Sequence, residues 1–551
     1  MNENNNVLNE QIIEEVTNKT PETVVNQPKI KPLFEISKRD NVFAICVLAI
    51  GIFMSVFGVF GGFALGYSMS MVALVLAFVL YLIKSNKIGV YSFLCIGVSL
   101  GNSVNFITTT NGSVKFFSVI ISFMLLVAAT SDLAIGKTIG NRAALGVFKN
   151  ALGTMGNVGV STKSLCSNSN DGKKKIGKVI LGLLCSVPVL LVIVPLLIKS
   201  DDAFSGMMSS IFEGTGNVFI IVLKSVFGVF VSLFIISYGF SLKAQRVPES
   251  KKAKNRSADN VCIISFLSAI SACYILYLFS QLAYFFSAFK GFLPNDDITY
   301  SEYARKGFFE MCVIAVINLL LVFLSLLLAK KSNGKACIGI RVLATFIALF
   351  TLIIIATAIS KMFLYIDEYG MTVLRITTSA FMIFLAVTFL AVILRIYVNN
   401  INIVKTAIIT SGIIVLLLGT VNVNGVCAKY NYQAYKENKV AIDVEAMYNL
   451  GDDGIPYLAK LACSKDETIA KDAQHYLAKA YTEDYFEDMY FAEGFDEEAL
   501  REHQKYKSFS YFSLPRNRAY NTLYGFFEKN PNFDQKCLGY MKQYYSSFSL
   551  W

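Results

Sequence analysis

Eleven stretches of about 20 residues, mostly Val, Ile, Leu and Phe, constrain this chain more than any other feature. They run 42–61, 66–83, 88–107, 114–131, 179–198, 217–239, 261–286, 308–329, 339–360, 376–396 and 404–422. One helix needs roughly 20 apolar residues to cross a bilayer core. Only 16% of the chain is charged, against roughly 25% in soluble domains. With 54% hydrophobic residues and a mean hydropathy of +0.53, this excludes a cytosolic enzyme, a disordered chain and a fibrous protein. The expected fold is all-α: a polytopic transmembrane helical bundle of about 11 spans, followed by a C-terminal α-helical extracytoplasmic domain.

Charge divides the chain in three. Residues 1–40 are Asn/Glu-rich and carry 5 Lys/Arg against 7 Asp/Glu. They read as a disordered cytoplasmic tail, without the apolar stretch and cleavage site of a signal peptide. The transmembrane domain, 41–422, carries 30 against 13, and the soluble domain, 423–551, carries 15 against 19. A nucleic-acid binder gathers its basic residues on one polar face. Here the excess lies among the spans, so the expected partner is the lipid bilayer and no nucleic acid is expected.

Lys and Arg in short loops stay on the cytoplasmic side. With the N-terminus inside, 22 of the 30 basic residues of 41–422 fall inside, among them Lys84, Lys173, Lys243, Arg256, Lys330, Arg341 and Lys405. The third stretch is the weakest, because Asn102, Asn105 and Thr108 dilute it. Deleting it alone would put every later basic loop outside, so it is retained. An odd count then leaves the two termini on opposite sides of a cell membrane.

The last domain reads as short helices: Ala441–Leu450, a break at Gly451-Asp452-Asp453-Gly454, then Tyr457–Cys463. A further helix, with Ser464 as cap and Glu467 as its capping-box partner, runs to about Tyr481. The 11 Cys include no CxxC pair, so most read as buried thiols. Cys427, Cys463 and Cys537 are the ones an oxidising exterior could pair. The two histidines, His475 and His503, have no nearby ligand partners, so no metal or other cofactor is expected. Gly58, Gly62 and Gly66 read as a small-xxx-small packing run. Gly153, Gly156 and Gly159 lack phosphate-loop spacing, and 137–163 alternates apolar and basic residues as a surface-lying segment would.

Four motifs carry a resemblance to a known family: Thr299–Glu310 (TYSEYARKGFFE), Leu364–Arg375 (LYIDEYGMTVLR), Asn422–Asn431 leading into 443–458, and Ser200–Phe204 (SDDAF). Together they resemble the bacterial multi-pass membrane family catalogued as domain of unknown function 4173, mainly after about residue 180. The resemblance implies a multi-pass topology and brings no activity, substrate or cofactor.

The topology places these motifs at the outer surface. The candidate ligand-binding residues are Asp201, Asp202, Gln281, Tyr303, Arg305, Glu310, Asp367, Glu368 and Arg375. Tyr303, Gly307 and Glu310 share a helix face. A carboxylate at the interface costs a few kcal/mol unpaired, so Glu310 is expected to pair with Arg305, Lys306 or Arg375, or to face water. The competing reading is structural: aromatic belts and snorkelling cations are ordinary at interfaces. Lys224, mid-span, is an intramembrane charge that snorkels, pairs or lines a pathway. Neither Asp201/Asp202 nor Asp367/Glu368 is a ready dyad, since neighbouring side chains diverge, so no catalytic residue is assigned and a non-enzyme is favoured. Two functions follow: envelope-associated sensing, scaffolding or interaction with an envelope protein or small ligand at the outer face, or transport or lipid handling through a polar pocket between spans 7–10.

Overall fold

The computed structural model describes residues 37–83, 88–135, 193, 196–197, 199–243, 258–290, 308–330, 336–398, 401–489 and 511–530. Its elements are helical. Ten are long and apolar enough to cross a membrane. They are α1 (Lys38–Phe53), prolonged by a π-helical turn at Met54–Val59, α2 (Leu65–Leu82), α3 (Val90–Thr108), α4 (Gly112–Ile135), α5 (Asp202–Lys243), α6 (Asn260–Lys290), α7 (Phe308–Leu328), α8 (Ile338–Tyr369), α9 (Val373–Tyr397) and α10 (Ile403–Thr420). Most of the fifth stretch, 179–198, lies outside the described residues, among which ten such helices are found. The leader 1–36, the basic segment 137–163 and its glycines, His503 and Cys537 also lie outside them.

Lipid tails are as apolar as leucine, so burial of apolar surface does not choose which helix face turns inward. Large apolar residues such as Leu276 and Phe279 stay more than 70% exposed, as a lipid-facing surface would. Small and polar residues mark the inner faces instead. Where α1 crosses α5, a Cβ on Gly228 would stand 2.5 Å from the Gly51 carbonyl, and Ser232 donates to the Val47 carbonyl at 3.3 Å. Among α6, α7 and α8, the Tyr274 hydroxyl donates to Asn318 Oδ1 at 2.6 Å, and Asn318 Nδ2 donates to Thr351 at 2.9 Å.

The glycine run at 58–66 serves a turn as well as packing. Gly62 sits at φ +78, where other residues strain, and reverses the chain from α1 into α2. A Cβ on Gly66 would lie 2.1 Å from the Phe57 carbonyl, so the two arms close tightly.

Side-chain bonds sort the helix ends into two sets. At one end Asp40, Tyr81 and Lys243 meet, Ser92, Asp132 and Lys405 meet, and Asn260 bonds Lys330. At the other end lie Phe60, with the Lys224 ammonium 5.5 Å from its ring, then Asn111, Gly370 and Asn422. Thus α4 finishes at the first end and the α5 span begins at the second. Lys38 and Val423 consequently stand at opposite ends of the bundle.

Beyond α10 come α11 (Val423–Lys436), α12 (Val444–Tyr448), a 3-10 turn at Gly451–Asp453, α13 (Ile455–Leu461), α14 (Glu467–Met489) and α15 (Leu514–Lys529). Pro456, in the first turn of α13, is pre-set for a helix start. The cap of α14 is Asp466, whose Oδ1 accepts from the Thr468 and Ile469 amides at 3.0 and 3.4 Å, where Ser464 was expected. Val423, Cys427, Met447, Leu458, Leu477 and Leu523 form one core, which also takes in Met371, Ile376 and Leu418 from the ends of α9 and α10. The boundary expected at 422/423 therefore cuts through a shared core. Cys427 and Cys463 are free thiols rather than a pair, and burial pushes the Cys427 thiol up to about 12.

Candidate functional site

Arg375 is one of three cations, with Arg305 and Lys306, that the sequence offers Glu310 as a partner. The structure has it closing the end of α8 instead. Its guanidinium donates to the Tyr369 carbonyl at 3.2 Å and to the Gly370 carbonyl, and lies 4.0 Å from the Tyr365 ring centroid. Helix ends leave carbonyls without intrahelical donors and carry partial negative charge, so a cation there is favoured without any carboxylate. Arg375 makes no ion pair with Glu310, Asp367 or Glu368 among the described residues. Glu310 is exposed in the first turn of α7, where an acid suits the helix dipole. Asp367 and Glu368 are exposed on the last turn of α8, and Asp367 accepts from the Tyr430 hydroxyl at 3.3 Å.

Tyr303 and Arg305 lie outside the described residues, and Gln281 is placed only as part of the α6 backbone. Asp201 is exposed, and Asp202 opens α5. At 1.5 Å per residue, Asp202 stands roughly 28 Å along the helix from Ile221, where the span begins. Lys224 falls in the first turn of that span, nearer its end than the stretch 217–239 implied. The structure thus brings Tyr365 to Arg375 and Tyr430 to Asp367, and among the described residues gathers no wider cluster from the expected set.

A different polar site does assemble, where α11–α15 meet the bundle. Asn431 on α11 clamps the α8–α9 turn: its Oδ1 accepts from the Met371 amide at 2.7 Å and its Nδ2 donates to the Met371 carbonyl at 2.8 Å. Asn111, between α3 and α4, donates to Asn424 Oδ1 at 2.8 Å, and Asn424 donates to the Leu450 carbonyl at 3.0 Å. At the α1–α2 turn, the Leu65 amide donates to the Phe512 carbonyl at 3.2 Å and the Tyr511 hydroxyl donates to the Phe60 carbonyl at 3.2 Å. Three inter-helix connections are therefore held by one helical layer.

The centre of this junction is Asn422, the residue that leaves α10 in a left-handed conformation at φ 57. Its Nδ2 donates to Asp453 Oδ1 at 2.6 Å. Asp453 is only 4% exposed. Burial pushes its carboxyl up to about 6; the Asn422 amide opposes this, neighbouring Asp452 adds to it, and Arg518 opposes it. Sequence reasoning placed Asn422 and Asn424 at the outer surface but took Asp453 for part of a helix break. The doublet in Gly451-Asp452-Asp453-Gly454 was the available signal, and nothing local says that one of its carboxyls is buried.

The weak third stretch has a structural explanation. Asn102 and Asn105 on α3 turn their amides onto α10: Asn102 reaches the Gly412 carbonyl at 3.2 Å and Asn105 the Val415 carbonyl at 2.9 Å. Thr108 donates to the Gly419 carbonyl at 2.8 Å. The polar residues that dilute the span's hydropathy are those that bind it to its neighbour.

At the opposite end, one buried and one half-buried carboxylate that sequence reasoning passed over each join three helices. Asp40, fully buried, accepts from the Tyr81 hydroxyl at 2.8 Å and pairs with Lys243. Asp132 pairs with Lys405 at 2.8 Å and accepts from the Ser92 hydroxyl at 2.8 Å. Among the described residues no group of three His, Cys, Asp or Glu side chains could hold a metal.

The family model of a domain of unknown function (DUF4153) covers residues 71–461. This corrects the expected resemblance, which named domain of unknown function 4173 and placed the likeness mainly after residue 180. The match starts within α2, so α3 and α4 belong to the shared unit. It ends at the last residue of α13, so it takes in the Asn431, Asn424 and Asn422 contacts, while the α1–α2 turn and its partners Tyr511 and Phe512 lie outside it. No curated protein and no solved structure matches the chain.

Proposed function

This chain belongs to the DUF4153 family, whose description attaches no chemistry to it, and from that premise we propose an envelope-associated role in sensing, scaffolding or interaction, exerted by this integral membrane protein through its outer face. The observation that carries the reading is the attachment of α11–α15 to three inter-helix connections at one end of the bundle. A load or ligand that displaces this layer has to strain hydrogen bonds to the spans, which is the coupling a sensor or anchor needs. Transport through spans 7–10 has less support, because Arg375 is spent on carbonyls and Glu310 is exposed.

The side follows from charge. Lys243, Lys330, Arg341 and Lys405 gather at the end away from this layer, and basic ends stay cytoplasmic. The helical layer is then extracytoplasmic. Among the described residues of the layer, Cys463 is the exposed thiol, while Cys427 is buried. A membrane-impermeant maleimide added to intact cells is expected to label the chain, and Cys463→Ser to lower that labelling. Labelling only after lysis would invert the orientation.

The role itself is tested by surface charge. Lys465 and Lys471 are exposed around the start of α14, outside the core. The double variant Lys465→Glu/Lys471→Glu should insert at the wild-type level yet fail to restore a cell lacking the chain. Full restoration would count against recognition by this surface.

A further inference from the structure

The amide of Asn422 offers an NH2 donor group and a carbonyl acceptor, whereas a carboxylate offers acceptors only. One arm of the Asn422–Asp453 pair is made, from Nδ2 to Oδ1 at 2.6 Å. The remaining oxygens, Asn422 Oδ1 and Asp453 Oδ2, are both buried and have no hydrogen-bond partner. Two acceptors left over on a bonded, buried pair is a mismatch that each group meets with a desolvation cost. A proton removes it. A carboxylic acid has one donor and one acceptor, so protonation at Oδ2 supplies the hydroxyl donor that the Asn422 carbonyl oxygen lacks. We propose that Asp453 and Asn422 form a proton-binding site that tightens the hold of the helical layer on the end of α10 when it is occupied.

The surroundings keep the site closed rather than paired with a base. Asp452 adjoins Asp453 in the same turn, and Arg518 on α15 and Tyr457 on α13 are its other ionisable neighbours. Lys115 on α4 faces both Asp452 and Arg516 of α15. A Cβ at Gly425 would come within 3.2 Å of Asp453 Oδ1, so α11 packs directly over the pair. Asn422 is the residue through which α10 passes into α11, so a change in its bonding acts where span and layer join.

The site stands on either orientation and does not depend on the sensing role, and its tests read the protein itself rather than a phenotype. Asp453→Asn replaces the acid by an amide that carries a donor at all pH values, and so copies the proton-bound form. In the full chain in lipid nanodiscs, amide exchange over 422–428, corrected for intrinsic rate, is expected to slow about tenfold on going from pH 8 to pH 5, the worth of one hydrogen bond. In Asp453→Asn it should be slow at both. A protonated-carboxyl infrared band that titrates near pH 6 should be present in the wild type and missing from Asp453→Asn. Asn422→Ala, which removes the partner, should exchange fast at both pH values. The proposal is overturned if the wild type lacks the band at pH 5, if folded Asp453→Asn keeps the wild-type pH dependence, or if slow exchange at pH 8 is restored by an added cation.

Discussion

Asp132→Ala is expected to lower the stability of the purified protein by about 3–5 kcal/mol, the usual cost of stranding one member of a buried ion pair. Asp132 and Lys405 are each only 13% exposed, at a nitrogen–oxygen distance of 2.8 Å. The Lys405 ammonium also lies 4.1 Å from the Tyr91 ring centroid, and Ser92 donates to the same carboxylate. Removing the carboxylate leaves the ammonium among α3, α4 and α10 with only a ring for company, and leaves Ser92 without its acceptor. The pair itself is a different quantity from the loss of one partner. Replacing both, as Asp132→Ala/Lys405→Met, should recover most of the loss, because a buried pair often does no better than well-packed apolar residues. Thermal unfolding in one detergent decides it: a single variant within a degree of wild type would show that the site is wet and screened. The Asp40–Lys243 pair should respond less, since the Lys243 side chain is 38% exposed.

Gly419→Ala is the second large effect. A Cβ at 419 would stand 2.1 Å from Asn105 Cγ and 2.3 Å from its Oδ1. The α10 backbone cannot yield cheaply there, because the Gly419 carbonyl accepts from Thr108 and the Val415 carbonyl from Asn105. The added methyl therefore expels the Asn105 side chain and loses its bonds to Val415, Ser118 and Asn102. Overpacking together with lost interhelical hydrogen bonds comes to about 2–3 kcal/mol. Asn105→Ala should relieve the clash, so that the double variant is more stable than the sum of the single losses predicts. Strict additivity would mean that the two positions do not touch.

The proton site adds a signed pH dependence. Burial raises the Asp453 carboxyl above its unfolded value, so the folded chain holds this proton more tightly than the unfolded chain does. Its contribution to stability is complete below the ordinary carboxylate range and is lost as pH rises through about 6. Most structural carboxylates act in the other sense, so the difference between wild type and Asp453→Asn isolates this group.

The aromatic and charged motifs that looked most like a site were legible in the sequence because each is contiguous. Their bonding was not, since Arg375 had helix carbonyls within reach that no residue pattern displays. Asn102 and Asn105 were legible only as a weakness in a span, because hydropathy records that a residue is polar and not what it bonds. Asp453 and Asp132 could not be singled out at all. Burial of a carboxylate depends on partners 31 and 273 residues away.

By itself the sequence determined that the chain crosses a membrane many times as helices. It also determined which helix ends are basic, because both follow from the transfer free energy of local stretches and from loop charge. Only the tertiary structure decided which polar residues face one another across helices, that α11–α13 share a core with the span ends, and that one carboxylate lies beside an amide with an acceptor to spare. In lipid the apolar faces of a helix are nearly equivalent, so its inward face is chosen by small and polar residues matching those of a neighbour, and such matches exist only once the helices are assembled.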